Sequence, residues 1–303
     1  MNFSRRSSIA ALLALAGVPA FSQSARPLQV VASFSILADI VREVGGDAVE
    51  VAALVGPDAD AHVFQPSPMD ARRLASADLV VVNGLGFEGW IDRLVRASGY
   101  RGTVVVASKG VKARKDVHGH GGEQGHGSDP HAWQDLANAE IYVANVRDAL
   151  SSARPAQAQA FAQRAVRYSG QIRALDRDVR AQFAVVPREK RRVITSHDAF
   201  EYFGAAYGID FLSPQGISTD SEASAAGVAR LVDQIRRQDA RAVFVENISD
   251  PRLVERIAKE GGAVLGGKLY SDALSAPGTE ADSYLKLFAH NAKALADGLA
   301  GTR

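Results

Sequence analysis

Valine-rich runs of strand length alternate with helical patterns along almost the whole chain. "LQVVAS", "VEVAAL", "DLVVVNG" and "TVVVAS" are interleaved with helical periodicity at Phe34 to Val44, Pro68 to Ala75 and Gly89 to Ala97. Such runs suit strands buried on both faces, and parallel strands need a crossover helix between them. The same style returns later: "RRVITS", a helix near Ala199 to Tyr207, another over Ala223 to Arg237, "AVFVEN", Pro251 to Glu260, "GAVLGG", and a last helix from about Glu280 to Leu299. The expected fold is therefore α/β with two lobes, each a mainly parallel sheet flanked by helices.

Between the two sets, Phe161, Tyr168, Ile172, Leu175, Val179 and Phe183 recur on one face of a single long helix from about Pro155 to Ala184. Gly170 inside it costs roughly 1 kcal/mol relative to alanine, so this helix should depend on packing against both lobes. The resulting division is residues 26–152 for the first lobe, 153–184 for the linking helix and 185–303 for the second lobe.

Residues 1–25, "MNFSRRSSIAALLALAGVPAFSQSA", combine two arginines, an apolar run from Ile9 to Val18 and small residues near Ala20 and Ala25. They read as a cleaved secretory signal, since the apolar run is shorter than the roughly 20 residues a membrane span needs. The arginine pair leaves the export route open. Cysteine is absent, which removes disulfides, thiolate ligands, a cysteine nucleophile and a lipid-bearing cysteine from consideration. Without Arg5 and Arg6 the chain carries 33 basic against 34 acidic side chains, a balance that argues against nucleic acid as a partner.

Four of the seven histidines fall within "DVHGHGGEQGHGSDPHAWQDL". His118, His120 and His126 lie in a glycine-rich tract within a loop at 116–128. They read either as a metal-collecting arm or as a solvated loop with no role. His131 differs, because Pro130 fixes its approach and Trp133 can pack beside it. His62 and His197 each lie beyond the carboxyl end of a predicted parallel strand, where open α/β sheets bind ligands, and Asp272 follows "GAVLGG" in the same way. Three imidazoles and one carboxylate would make a four-coordinate nitrogen and oxygen site suited to Zn²⁺ and acceptable to Mn²⁺. Taken singly, a strand-end histidine is more often an ordinary loop residue, and Asp272 a turn or cap. Asp60, Asp129, Asp135, Asp198 and Glu246 are near enough to accept the second N–H of a ligand imidazole, or to be plain solvated or capping carboxylates. His290, in the last helix, reads as a surface or interface histidine.

"DAHVFQPSPMDARRLASADLVVVNGLGFEGW", "DPHAWQDLANAEIYVANV", "TSHDAFEYFGAAYGI" and "LYSDALS", in this order around a long helix, resemble the zinc and manganese solute-binding proteins of bacterial ABC importers. The resemblance spans the mature chain. It implies a metal site between the lobes with His62, His131, His197 and Asp272 as ligands. It also implies a periplasmic monomer, soluble after signal cleavage, that hands its ion to an inner-membrane permease and its ATPase. Loading by a periplasmic metallochaperone fits the same picture. Zinc-directed members of the family present histidine at the third ligand and manganese-directed members often glutamate, so His197 points to Zn²⁺, with a manganese-binding homologue as the alternative. A zinc hydrolase using Asp272 as general base is the competing reading from another class. The long helix should restrain hinge bending, leaving release to loop motion around His131 and Asp272.

Overall fold

The computed structural model describes residues 26–115, 128–220, 223, 225–238, 240 and 242–301. Residues 1–25, expected to be a secretory signal, and His118, His120 and His126 lie outside the described residues. In the first half, β1 (Leu28–Phe34), α1 (Ser35–Gly45), β2 (Val49–Val55), α2 (Pro68–Ala75), β3 (Leu79–Val82), α3 (Ile91–Ser98) and β4 (Thr103–Val106) build a parallel sheet of order β2-β1-β3-β4. β1 and β3 are buried almost throughout, whereas β2 and β4 at the edges keep exposed residues. That is what two helix-covered faces demand of central strands. Local signals set the helix ends. Ser67 and Asp70 form a reciprocal capping box with Pro68 at the first turn of α2, and Gly99 closes α3 with φ of 70°.

After α4 (Leu136–Ala153) and α5 (Ala158–Ala184), the second half repeats the plan. β5 (Arg192–Ile194), α6 (Glu201–Tyr207), β6 (Asp210–Leu212), α7 (Ala225–Gln238), β7 (Ala242–Glu246), α8 (Pro251–Gly261) and β8 (Val264–Leu269) give a parallel sheet of order β6-β5-β7-β8, followed by α9 (Tyr284–Ala300). In each half the chain steps outward on one side of its first strand and then crosses to the other. A crevice therefore opens between β1 and β3, and another between β5 and β7.

The long helix α5 starts a few residues later than the periodicity suggests. Arg154, kept out of the helical region by the following proline (φ −140°, ψ 74°), ends α4, and a 3₁₀ turn at Pro155–Gln157 intervenes. Phe161, Ala165, Tyr168, Ile172, Val179 and Phe183 are buried along α5, which packs on α1, α4, α6 and α9. Leu175, expected on that face, is only half-buried. One continuous apolar cluster runs from Phe34, Phe87 and Trp133 in the first half to Phe203, Tyr284 and Phe288 in the second, and a smaller one lies under α7 and α8. The lobes share a core.

Candidate metal centre

His62 stands in the loop after β2. Asp58 takes φ of 52° there and donates its N–H to Leu274 O (2.9 Å), tying this loop to the segment after β8. Asp60 Oδ1 accepts the N–H of His62 (2.8 Å), and Trp90 Nε1 donates to Ala61 O (2.8 Å). Both polar groups of the peptide bond that leads into the histidine are thus fixed by side chains, the first of them through an Asx turn.

His131 follows Pro130, whose carbonyl accepts from Asn83 Nδ2 (2.9 Å). Asp129 Oδ1 accepts both the backbone N–H (3.0 Å) and Nδ1 (2.7 Å) of His131. Trp133 packs its ring at 5.3 Å from the imidazole and also against Phe34 and Phe87. From there Trp133 Nε1 (2.9 Å) and Gln134 Nε2 (2.8 Å) both donate to Ser271 O, the carbonyl just before Asp272. The loops of His131 and Asp272 are therefore bound to each other. Asn291 on α9 holds the second of them, accepting from Tyr270 N (2.9 Å) and donating to Tyr270 O (2.7 Å).

His197 leaves the carboxyl end of β5, and Glu246 ends β7 across the crevice. Glu246 Oε1 accepts the N–H groups of Ser196 (2.8 Å) and His197 (2.9 Å), and Oε2 lies 2.6 Å from His197 Nδ1. A carboxylate against Nδ1, in His131 as in His197, selects the tautomer with the proton on Nδ1. The lone pair of Nε2 is left to point inward.

These four side chains converge. Asp272 Oδ2 is 3.1 Å from His62 Nε2 and 3.3 Å from His197 Nε2, Oδ1 is 3.7 Å from His131 Nε2, and the Nε2 atoms of His131 and His62 are 3.4 Å apart. All four donor atoms lie within 4.8 Å of one another. A tetrahedral ion with bonds near 2.0–2.1 Å needs donors about 3.3 Å apart, so the spacing fits a single cation at the centre. His131, His197 and Asp272 are fully buried, while His62 is partly exposed. Burial opposes a charge on His197, but Glu246 and Asp272 outweigh it and hold its proton well above the usual histidine range. Burial likewise works against the Asp272 carboxylate, yet His131, His197 and His62 keep it far below the usual carboxylate range. Such mutual compensation of buried charge is what a cation would supply to the whole group.

The other expected residues are placed differently. Asp60 and Glu246 support ligand loops as described. Asp135 sits at the start of α4, where its carboxylate accepts the N–H of Ala137 (2.9 Å) as a helix cap, and burial raises its pKa. Asp198 is buried, with its N–H on Gly216 O (3.1 Å). His290 is half-buried on α9, its Nε2 2.9 Å from Lys268 O. Asn83 was not singled out from sequence, although a polar residue closing the run "LVVVN" at a strand end was a usable signal. It joins Tyr142 OH (2.6 Å) to the Pro130 carbonyl.

The chain matches the family model described as ZnuA, "Zinc-uptake complex component A periplasmic", over residues 30–298. It is similar to the manganese-binding lipoprotein MntA of Bacillus subtilis, 34% identical over 277 residues with 90% of each chain covered. The manganese-binding lipoprotein MntA of Halalkalibacterium halodurans is 31% identical, covering 92% of this chain and 90% of its own. Among solved structures, the periplasmic zinc binding protein TroA from Treponema pallidum superposes with a TM-score of 0.84 at 30% identity, over 91% of this chain and all of the other. A manganese-bound S38A mutant of a periplasmic metal binding protein from Candidatus Liberibacter asiaticus gives 0.82 at 30% identity, with 90% and 99% covered. Because the family match runs from within β1 almost to the end of α9 and takes in both halves of the donor cluster, this chain belongs to the ZnuA family of metal-binding solute-binding proteins that serve ABC importers, and it is not an enzyme.

Proposed function

We propose that His62, His131 and His197 through Nε2, together with Asp272, hold one Zn²⁺ as cargo outside the cytoplasm and deliver it to a membrane permease driven by an ATPase. The convergence of three imidazole nitrogens on one buried carboxylate carries the reading. Four protein donors close the coordination shell, which suits carriage rather than hydrolysis, since a hydrolytic zinc keeps a position open for water. Asp272, Asp129 and Glu246 set three carboxylates around a dipositive ion. Zinc is favoured over manganese by His197, because an imidazole at this place makes the donor set softer than a second carboxylate would. The names of the two MntA relatives favour manganese. All four donors come from one chain, which supports a monomer as the working unit. No described helix is long and apolar enough to cross a membrane. The two MntA relatives are named lipoproteins, whereas the 303 residues here contain no cysteine to carry a thioether-linked lipid.

Zinc outcompetes manganese at almost any nitrogen and oxygen site, so competition alone does not identify the physiological ion. The decisive measurement is the metal content of protein isolated from its native compartment. One equivalent of zinc is expected. One equivalent of manganese overturns the choice of metal, and no stoichiometric metal overturns the reading.

A further inference from the structure

The three histidines are not held alike. His131 and His197 each have a carboxylate against Nδ1, from Asp129 and Glu246. Among the described residues no carboxylate lies against Nδ1 of His62, which instead packs edge-on to Phe87 at 4.9 Å. The His62 residue is half-buried where the other three are fully buried, although its side chain keeps only 4% of its surface exposed. The loops of His131 and Asp272, which the sequence nominated for release, are joined by two hydrogen bonds to a single carbonyl. Their separation would break both at once.

The His62 loop is tied to the second half at two residues: Asp58, whose N–H reaches Leu274 O (2.9 Å) and whose Oδ1 accepts from Asn247 Nδ2 (3.0 Å), and Asp60, the nearer of the two to His62. Asp60 Oδ1 accepts the His62 N–H, and its other oxygen, Oδ2, accepts the hydroxyl of Thr219 at 2.6 Å. Thr219 lies in the loop between β6 and α7, on the opposite lobe. A cleft of about 430 Å³ opens beside this bridge, lined by Asp60, Thr219, Ser196, Asp250 and Ile248 among others. It reaches Asp60 and Ser196, close before His62 and His197, and at its far side Asp250 is paired with Arg252.

Resting on the reading of this cluster as a metal site, we infer that Asp60 and Thr219 form a latch across the lobes and that His62 is the first ligand to leave when the ion is released. Asp60 acts as a positioning residue, holding the His62 backbone in place while Thr219 holds Asp60. Breaking the bridge loosens the one imidazole with no carboxylate behind it, beside the cleft, and leaves the loops of His131 and Asp272 joined and His197 held by Glu246. Metal exchange then needs no rotation of one lobe against the other.

The test is the rate of zinc loss from the loaded full chain, measured by stopped-flow mixing with EDTA at concentrations where the rate no longer depends on the chelator. Thr219→Val removes the hydroxyl and keeps the shape. It should accelerate loss by about tenfold, the effect of removing one hydrogen bond to a carboxylate, with the association rate and the unfolding midpoint of the metal-free protein unchanged. Thr219→Ser should restore the slow rate. In an Asp60→Ala background, which itself releases fast, Thr219→Val should add nothing. A wild-type rate in Thr219→Val, or equal effects in both backgrounds, overturns the latch while leaving the metal site standing. Wild-type protein that takes up no ion overturns both.

Discussion

Glu246→Gln isolates the contribution of a carboxylate that touches no ion. Glu246 Oε1 serves the Ser196 and His197 N–H groups, and Oε2 faces His197 Nδ1. Glutamine has the same shape but only one acceptor oxygen. If that oxygen stays with the two backbone donors, the amide NH₂ meets Nδ1 and drives the imidazole proton onto Nε2, the atom that must face the ion. If the amide turns over, two buried N–H groups lose their acceptor. Either way a hydrogen bond to a charged partner is lost in a place with no solvent, a cost of about 1.5–3 kcal/mol. That is about 10- to 100-fold in affinity, the range expected for a residue that orients a metal ligand. The assay is zinc titration against a chromophoric chelator near pH 7.5, with the unfolding midpoint of the metal-free protein as a check on the fold. The pH dependence adds a second readout. Glu246 helps hold the His197 proton above its usual range, so removing it lowers that pKa and weakens proton competition for the site. The loss of affinity should therefore narrow as pH falls toward 6. Affinity within about threefold of wild type at pH 7.5 would refute the orienting role, since 3-fold is less than 1 kcal/mol.

Three further outcomes concern residues away from the donor atoms. Burial pushes the Asp39 carboxyl up from 3.8 to about 6, against the Tyr284 N–H that it accepts at 2.8 Å. The folded chain then binds this proton more tightly than the unfolded one, so the contribution is fully present below pH about 4 and lost as pH rises through about 6, a fall of about 3 kcal/mol. Asp39→Asn should remove that fall, matching wild type near pH 4 and exceeding it at pH 7 to 8 in denaturant unfolding; an unaltered pH profile would contradict it. A methyl group added at Gly170 meets nothing within 4 Å, so Gly170→Ala should stabilise by about 0.5–1 kcal/mol and raise the thermal midpoint by about 2 °C. Glu88→Gln should leave zinc affinity close to wild type, because Glu88 serves Ser33 and backbone N–H groups and touches no ligand histidine; a loss as large as that of Glu246→Gln would count against the division of roles.

What the sequence made legible was whatever is decided locally. Ser67, Pro68 and Asp70 mark the start of α2 within four residues, and Asp250 with Pro251 does the same for α8. β6 is only Asp210–Leu212, and three residues carry no period; pairing with β5 makes it a strand. The helix α4 escaped notice although Leu136, Ala139, Tyr142, Val143, Val146 and Leu150 are its buried face, because small residues on both faces blur the contrast. The last helix begins at Tyr284 rather than Glu280, since Ser283 supplies the cap and Glu280 turns back to accept from Tyr270 OH. The strand-end positions of His62, His197 and Asp272 could be read without coordinates, as a parallel sheet collects its loop residues on one edge. Which carboxylate serves which imidazole could not. Asp129 and Asp135 flank His131 in the sequence, but the first closes an Asx turn onto it, whereas the 3₁₀ turn at Ala132–Gln134 carries the second away to cap α4.

The two halves place a buried glutamate at the same topological point and use it differently. In each sheet the third strand lies beside the first, and the crevice between them is lined by N–H groups that no further strand can take. Glu88, just past β3, accepts from Ser33 Oγ (2.5 Å), Asn83 N (2.6 Å) and Gly84 N (3.2 Å), and burial raises its pKa. Glu246, at the end of β7, accepts from two N–H groups with one oxygen and reserves the other for an imidazole. The first half therefore spends its carboxylate on the fold, and its histidines must be oriented by residues in their own loops: Asp129 for the ring of His131, Asp60 for the backbone of His62. The second half lets one carboxylate do both jobs. This asymmetry explains why His197 is oriented from within its own lobe, by Glu246 alone. It also explains why His62, whose orienting residue is itself held by a hydroxyl across the cleft, is where the site can open.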